Sequence, residues 1–357
     1  MPALLISSIE LLESRRLLTT YAVTNLVSNG AVPAAHTDHH LVNPWGVAVG
    51  DNGIRVADAD AGVLTAYNGN GKINGPVITV HPTEHGESDE PGEEPIGHPT
   101  GIVFNPHGNF KITGDQGTAS ARFITVSEDG GIHGYSKDAD TNEAVLVVDN
   151  SDKGASYKGV TLGKLNGKWN LYAANFSLNK IDVYDDHFHK KTLAGSFKDP
   201  NIPGNYGPFN VQEIKGKLYV TFAKHEEGSE DEEAHGAGLG FVDVFNTNGQ
   251  FQKRLATRGV LNAPWGVAQA PTNFGQFSGD ILVGNFGDGK INAFSTSGHF
   301  EGNLKRKSGN TTKPIAIEGL WGIAFGNDQN GAHADRLYFA AGINDEADGL
   351  FGSIRVA

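Results

Sequence analysis

The chain has no cysteine, and its one methionine is the first of its 357 residues. Without thiols, disulfides, thiolate metal sites, iron–sulfur clusters and cysteine nucleophiles are excluded. Any chemistry therefore falls to His, Asp, Glu, Ser, Lys or a bound metal. Positive charge is also short: 28 Lys and Arg against 41 Asp and Glu give a net charge of −13. Such a chain repels a phosphate backbone or an anionic membrane surface, which argues against a nucleic-acid partner. Long apolar runs are missing too. A stretch such as Ala144 to Val148 has strand length, far below the roughly 18 residues of a membrane-spanning helix. No Gly-Lys-Ser or Gly-Lys-Thr phosphate loop, Gly-x-Ser-x-Gly elbow or His-Glu-x-x-His pair occurs. No nucleotide cofactor is expected, and the common hydrolase and protease signatures are absent.

Glycine, by contrast, is abundant, with 48 residues, and much of it is periodic. One landmark recurs as Asn43-Pro44-Trp45-Gly46-Val47, His98-Pro99-Thr100-Gly101-Ile102, Ser156-Tyr157-Lys158-Gly159-Val160, Gly207-Pro208-Phe209-Asn210-Val211, Ala263-Pro264-Trp265-Gly266-Val267 and Gly319-Leu320-Trp321-Gly322-Ile323. A second landmark follows it, an alternating strand ending in an aromatic: Leu64 to Tyr67, Ile132 to Tyr135, Ile181 to Tyr184, Val242 to Phe245 and Ile291 to Phe294. Short alternating strands at this long period, with Asp129-Gly130 and Asp288-Gly289 turns, predict an all-β, six-bladed β-propeller with four-stranded blades. Blade two is irregular, with an extra extended segment, Phe110 to Thr113, that has no place in the repeat. The sixth unit stops after its third strand, at Ser353 to Val356. Tyr21 to Leu26 alternates suitably to complete it, so we expect a three-plus-one closure by the N-terminal strand in blade six, which removes an open sheet edge. The propeller reading covers residues 21–357, and the leucine-rich residues 1–20 read either as an amphipathic helix or as an N-terminal sorting segment.

Antiparallel strands send the connections between blades, and the loops between second and third strands, to one face. The long polar segments fall there, and a rigid scaffold displaying variable loops is where a ligand site belongs. The candidate ligand-binding residues are Asn43, Trp45, Lys158, Asn175, Asn210, Lys224, Asn285, Trp265 and Trp321. Two readings of the repeated aromatic are open: packing between blades, or a ring at the channel mouth that stacks on a sugar or other planar ligand. Lys158, at the same repeat position, is a cation among aromatics. Two loops, His81 to His98 and His225 to His235, mix histidine with many carboxylates. They read either as solvated charge runs or as ligands of a divalent cation, calcium or zinc. Asp58, His98 and Asp345 are the candidate metal ligands. The run Asn344-x-Glu346-x-Asp348-Gly349 matches half of a calcium loop, but Arg355 holds its twelfth position.

Leu12-Glu13-Ser14-Arg15-Arg16-Leu17-Leu18 resembles the Leu-Glu-x-Arg-x-Leu-Leu segment that opens many surface and secreted proteins of certain bacteria. Leu41 to Gly46, Pro99 to Asn105, Leu171 to Phe176, Gly240 to Phe245, Phe274 to Gly279, Gly284 to Gly289 and Asn344 to Gly352 resemble a family of secreted bacterial six-bladed propellers. More distantly the repeat is similar to the NHL class, which includes protein-binding and RNA-binding modules as well as metal-dependent lyases and lactonases. The resemblance implies a bacterial protein that is secreted or displayed at the cell surface. Its implied role is a binding or interaction module for a glycan, peptide or protein partner outside the cell. The alternative is a metal-dependent hydrolase or lyase with an ion over the central channel.

Overall fold

The computed structural model describes residues 19–86 and 95–357. Of the residues read as a sorting segment, 1–18 lie outside the described residues, as does the centre of the first acidic loop, 87–94. Among the described residues the chain is all-β, apart from short 3-10 turns at Ala59–Ala61, Ser151–Lys153 and Gly275–Phe277. The architecture is propeller-like, with antiparallel sheets that succeed one another along the chain.

Three sheets are simple four-stranded meanders. They start at Tyr157–Leu165, Tyr206–Ile214 and Pro264–Gln269 and move outward strand by strand. The first strands of successive sheets pack side by side in a closed circuit. Pro44–Gly50 meets Pro99–Phe104, then come Tyr157–Leu165, Tyr206–Ile214, Pro264–Gln269 and Leu320–Phe325, which returns to Pro44–Gly50. This crowding explains the landmark glycines. A Cβ on Gly46 would sit 2.5 Å from the Thr100 carbonyl oxygen, and one on Gly322 would sit 2.4 Å from that of Trp45. Backbone meets backbone at the axis, and neither side can give way.

Strands between two sheets bury both faces, so their side chains form cores shared by neighbours. Ile124, Val126 and Ile132 pack with Val160, Leu171 and Ala173 in one such layer. Leu26 and Val27 pack with Ile54, Val56, Tyr338 and Phe351 in another. Chain ends meet in that second layer. Tyr21–Ser28 runs antiparallel to Asp348–Val356, from Tyr21 opposite Val356 to Ser28 opposite Leu350, with a register shift between Asn25 and Val27.

The first two sheets depart from the four-stranded expectation. Their outermost strands, Ile78–Val80 and Glu143–Asp149, pair in parallel through Thr79 with Glu143 and Val80 with Ala144, making one eight-stranded sheet. The segment without a place in the repeat is a separate hairpin of Lys111–Gly114 and Gly117–Ser120. It buries Ile112, next to Phe110, against the layer of Ile124, Val126 and Ile132 and leaves its other face to solvent.

Candidate functional site

Each side chain just before a landmark glycine stands at the head of a first strand and turns toward the axis. Trp45 and Trp321 stack with ring centroids 3.5 Å apart, and Phe286 covers the other face of Trp321 at 3.8 Å. Trp265 meets both indoles edge-on at 6.2 and 6.0 Å, and Phe209 meets Trp321 at 5.7 Å. The rings are buried and close the mouth of the channel as an aromatic plug. Of the two readings of this position, packing accounts for the indole faces, because they lie against one another. Thr100 adds polar ties in its place, donating to the carbonyls of Tyr157 (2.7 Å) and Val126 (3.1 Å). Below the plug, the channel narrows to a cavity of about 20 Å³ between Gly46, Gly101, Gly266 and Gly322, room for about one water.

Charge gathers on top of this plug. Lys158, buried at the head of Tyr157–Leu165, forms an ion pair with Glu128 and sits 5.2 Å from the ring centre of Trp45. Burial alone disfavours its ammonium, but attraction from Glu128, then Glu233 and Glu232, outweighs that and raises its pKa. Glu346 accepts a hydrogen bond from Trp321 Nε1 at 3.0 Å. Its carboxyl is pushed up to about 7, first by burial and then by repulsion from Glu233, Glu128 and Asp60. Glu232 is also raised, chiefly by burial and against the pull of Lys158. His235 meets Glu233 at 3.3 Å, and this hydrogen bond raises the imidazole's pKa. His225 lies against Phe176 at 4.2 Å, and burial lowers it. Glu128, Glu232 and Glu233 thus face Lys158, while Glu233, Glu128 and Asp60 face Glu346, so that five carboxyl groups gather around one lysine and one charge-prone histidine. They come from loops far apart in sequence, and the surplus is negative.

The candidate residues named from sequence divide. Trp45, Trp265, Trp321 and Lys158 meet at the mouth. Asn43 is buried beside them, and its amide donates to Asp60 Oδ1 at 3.3 Å. Asn210 replaces a landmark glycine and donates to the Trp265 carbonyl at 2.9 Å. Asn175 and Asn285 turn into their own sheets, donating to Asp182 Oδ2 at 2.9 Å and to Asp288 Oδ1 at 3.0 Å. Asp58 is fully buried, accepts the Thr65 N–H at 3.1 Å, and is held well above the usual carboxylate range, chiefly by burial. Lys224 ends its strand partly buried. The His98 carbonyl accepts the Glu128 N–H at 3.1 Å, and Asp345 is exposed with a positive φ of 51°. Asp58, His98 and Asp345 do not share a common donor cluster. Among the described residues, such a group is formed by Asp185, Asp186 and His187, in the turn after Lys180–Asp185, which antiparallel order places on the other face. Glu128 went unnoticed in the sequence because Glu128-Asp129-Gly130 reads as an ordinary turn. Its place between second and third strands of its unit is the signal that locates it.

Together the sheets and the plugged axis define a β-propeller-like protein, and solved structures agree. A protein of unknown function from Bacteroides thetaiotaomicron is similar over 94% of this chain and 76% of its own, with a TM-score of 0.55 and 12% identity. Virginiamycin B lyase from Staphylococcus aureus is similar over 94% of this chain and 100% of its own, with a TM-score of 0.51 and 13% identity. At such identities the likeness is one of fold alone. No family model matches the sequence. The chain belongs to one family with two proteins of Acanthamoeba polyphaga mimivirus, Uncharacterized protein R648 and Uncharacterized protein L690. They are 36% and 33% identical to it, over 95% of this chain in both cases and over 81% and 87% of their own lengths. This corrects the bacterial reading. These relatives come from a giant virus of amoebae, so the assignment to a secreted bacterial family, and the secreted or cell-surface location drawn from it, are withdrawn. The Leu12-Glu13-Ser14-Arg15-Arg16-Leu17-Leu18 segment is only seven residues of Leu- and Arg-rich sequence, short enough to match by composition.

Proposed function

We propose that the protein is a binding module, a six-bladed propeller over residues 21–357 closed by its N-terminal strand, whose ligand sits over the aromatic plug. The ligand we assign is a basic peptide segment of a partner protein. One observation carries this reading: Asp60, Glu128, Glu232, Glu233 and Glu346 converge from four loops around Lys158 and Glu346, where the one cation, Lys158, is already committed to Glu128. Glu346 held at about 7 means that the mouth has more carboxylates than it can ionise at no cost. An incoming ammonium or guanidinium supplies the missing charge in a partly dehydrated setting, where such pairs are strongest. The plug gives the site a rigid floor. The metal-dependent enzyme reading lacks such a convergence, since Asp58, His98 and Asp345 do not form one group of donor atoms.

Titration calorimetry of the full chain with tetralysine at low ionic strength tests the proposal. Binding that weakens with salt and falls at least tenfold in E233Q/E346Q supports it. Equal binding of tetralysine and tetraglutamate, or no loss in the variant, overturns it.

A further inference from the structure

A compartment of about 500 Å³ lies between the first two sheets, away from the mouth. Strand pairing creates it. The two sheets touch at the axis through Pro44–Gly50 and Pro99–Phe104, and they are joined at their outer edges through Ile78–Val80 and Glu143–Asp149. Between these seams the walls stand apart. Ala66 and Pro76 form one wall, and Phe104, Phe123 and Tyr135 form the other. Turn residues Asp51, Asn52, Lys137 and Asp138 rim it on the face opposite the plug.

One charge faces this apolar space from within. Arg55 is only 7% exposed, and its guanidinium lies 4.8 Å from the ring centre of Tyr135 and 5.7 Å from that of Phe123. Nη1 donates to the carbonyls of Pro76 at 3.1 Å and Leu64 at 3.4 Å. Among the described residues no carboxylate pairs with it. A buried, unpaired cation is expensive to keep, and carbonyls plus aromatic faces compensate it only in part. At the rim, Arg122 is held by Asp51 at 2.6 Å, while Lys137 and Asp138 have opposite signs. The Arg122 guanidinium also reaches a wall ring, 4.8 Å from the centre of Phe104, but it is neutralised by Asp51, which leaves Arg55 as the buried cation without a carboxylate partner.

We propose that this compartment is a second binding site, for a small aromatic carboxylic acid whose carboxylate pairs with Arg55 and whose ring body lies between the walls. A guanidinium presents its donors as a planar fork that fits one carboxylate in two parallel hydrogen bonds. The apolar walls reward a flat hydrocarbon body.

The probe is 2-naphthoate, compared with neutral 2-naphthamide, by titration calorimetry on the full chain. The expected result is at least tenfold tighter binding of the acid, a preference erased in R55Q and retained in R55K, with no competition from tetralysine. Acid and amide binding equally to the unaltered protein overturns the proposal without any variant, as does an undiminished preference in R55Q. If R55Q does not fold, A66L fills the compartment and leaves the charge; loss of naphthoate binding is expected there, and full binding overturns the proposal. Competition by tetralysine would place the acid at the mouth and overturn it equally, whereas failure of tetralysine itself to bind bears on the mouth alone.

Discussion

Lys158 and Glu128 form an ion pair over the indole of Trp45, with the lysine side chain 2% exposed and the glutamate side chain 30% exposed. The asymmetry has a consequence for stability. Removing the glutamate charge takes the hydrogen-bonded partner from a buried ammonium and leaves it only the pull of Glu233 and Glu232, whereas removing the lysine leaves a partly exposed carboxylate that rehydrates. Stripping one partner from a buried pair costs about 3 kcal/mol or more. We expect E128Q to lose about that much in chemical denaturation, K158M to lose clearly less, and K158M/E128Q to resemble K158M. Equal losses in the two single variants would show that the pair is solvated.

A second expectation concerns the meeting of the chain ends. Tyr21, Leu26 and Val27 are buried, and their strand covers the edge of Asp348–Val356. Burying each such side chain contributes about 1.5–3 kcal/mol, and a bare edge invites aggregation. Deleting residues 1–28 should lower the melting temperature by about 10 °C or more. An unchanged melting temperature would mean that the strand is dispensable to the closed circuit.

Much of this framework was legible in the sequence, and the reason is physical. Glycines such as Gly46 and Gly322 are forced by backbone contact at the axis, so the repeat leaves a mark wherever first strands crowd. The joining of Ile78–Val80 to Glu143–Asp149 left no mark, because outer edges pair through backbone groups that any side chain allows. The site was only half visible. Trp45, Trp265, Trp321 and Lys158 carry the repeat, but Glu128 hides in a turn, and Glu232, Glu233 and Glu346 read as solvated charge or a fragment of a calcium loop. Arg55 was silent, since a single charge on an alternating strand reads as facing water.

The raised carboxyl of Glu346 makes a prediction about pH. Its folded-state value, about 7, lies above the ordinary 4.5. Between those values the folded protein binds more protons than the unfolded chain, so this group's contribution to stability falls as pH rises through that window. E346Q removes the contribution, and its amide oxygen still accepts from Trp321. The melting temperature of E346Q minus that of the unaltered protein should therefore grow from pH 5 to pH 8. Asp243, also held at about 7 by burial, is present in both proteins and cancels. A difference that stays constant with pH would show that Glu346 ionises normally.

The central claim, that ligand sits on the plug, is tested most directly by tryptophan fluorescence. Three of the four tryptophans, Trp45, Trp265 and Trp321, form the plug, and Trp169 stacks on His107 elsewhere at 4.0 Å. In W169F, emission comes from the plug alone. Titrating W169F with tetralysine should give a saturable change in that emission, with the same midpoint as calorimetry and at least tenfold weaker once E233Q and E346Q are added. Calorimetric binding of tetralysine with no change in plug emission would contradict the account, because the ligand would then lie away from the mouth.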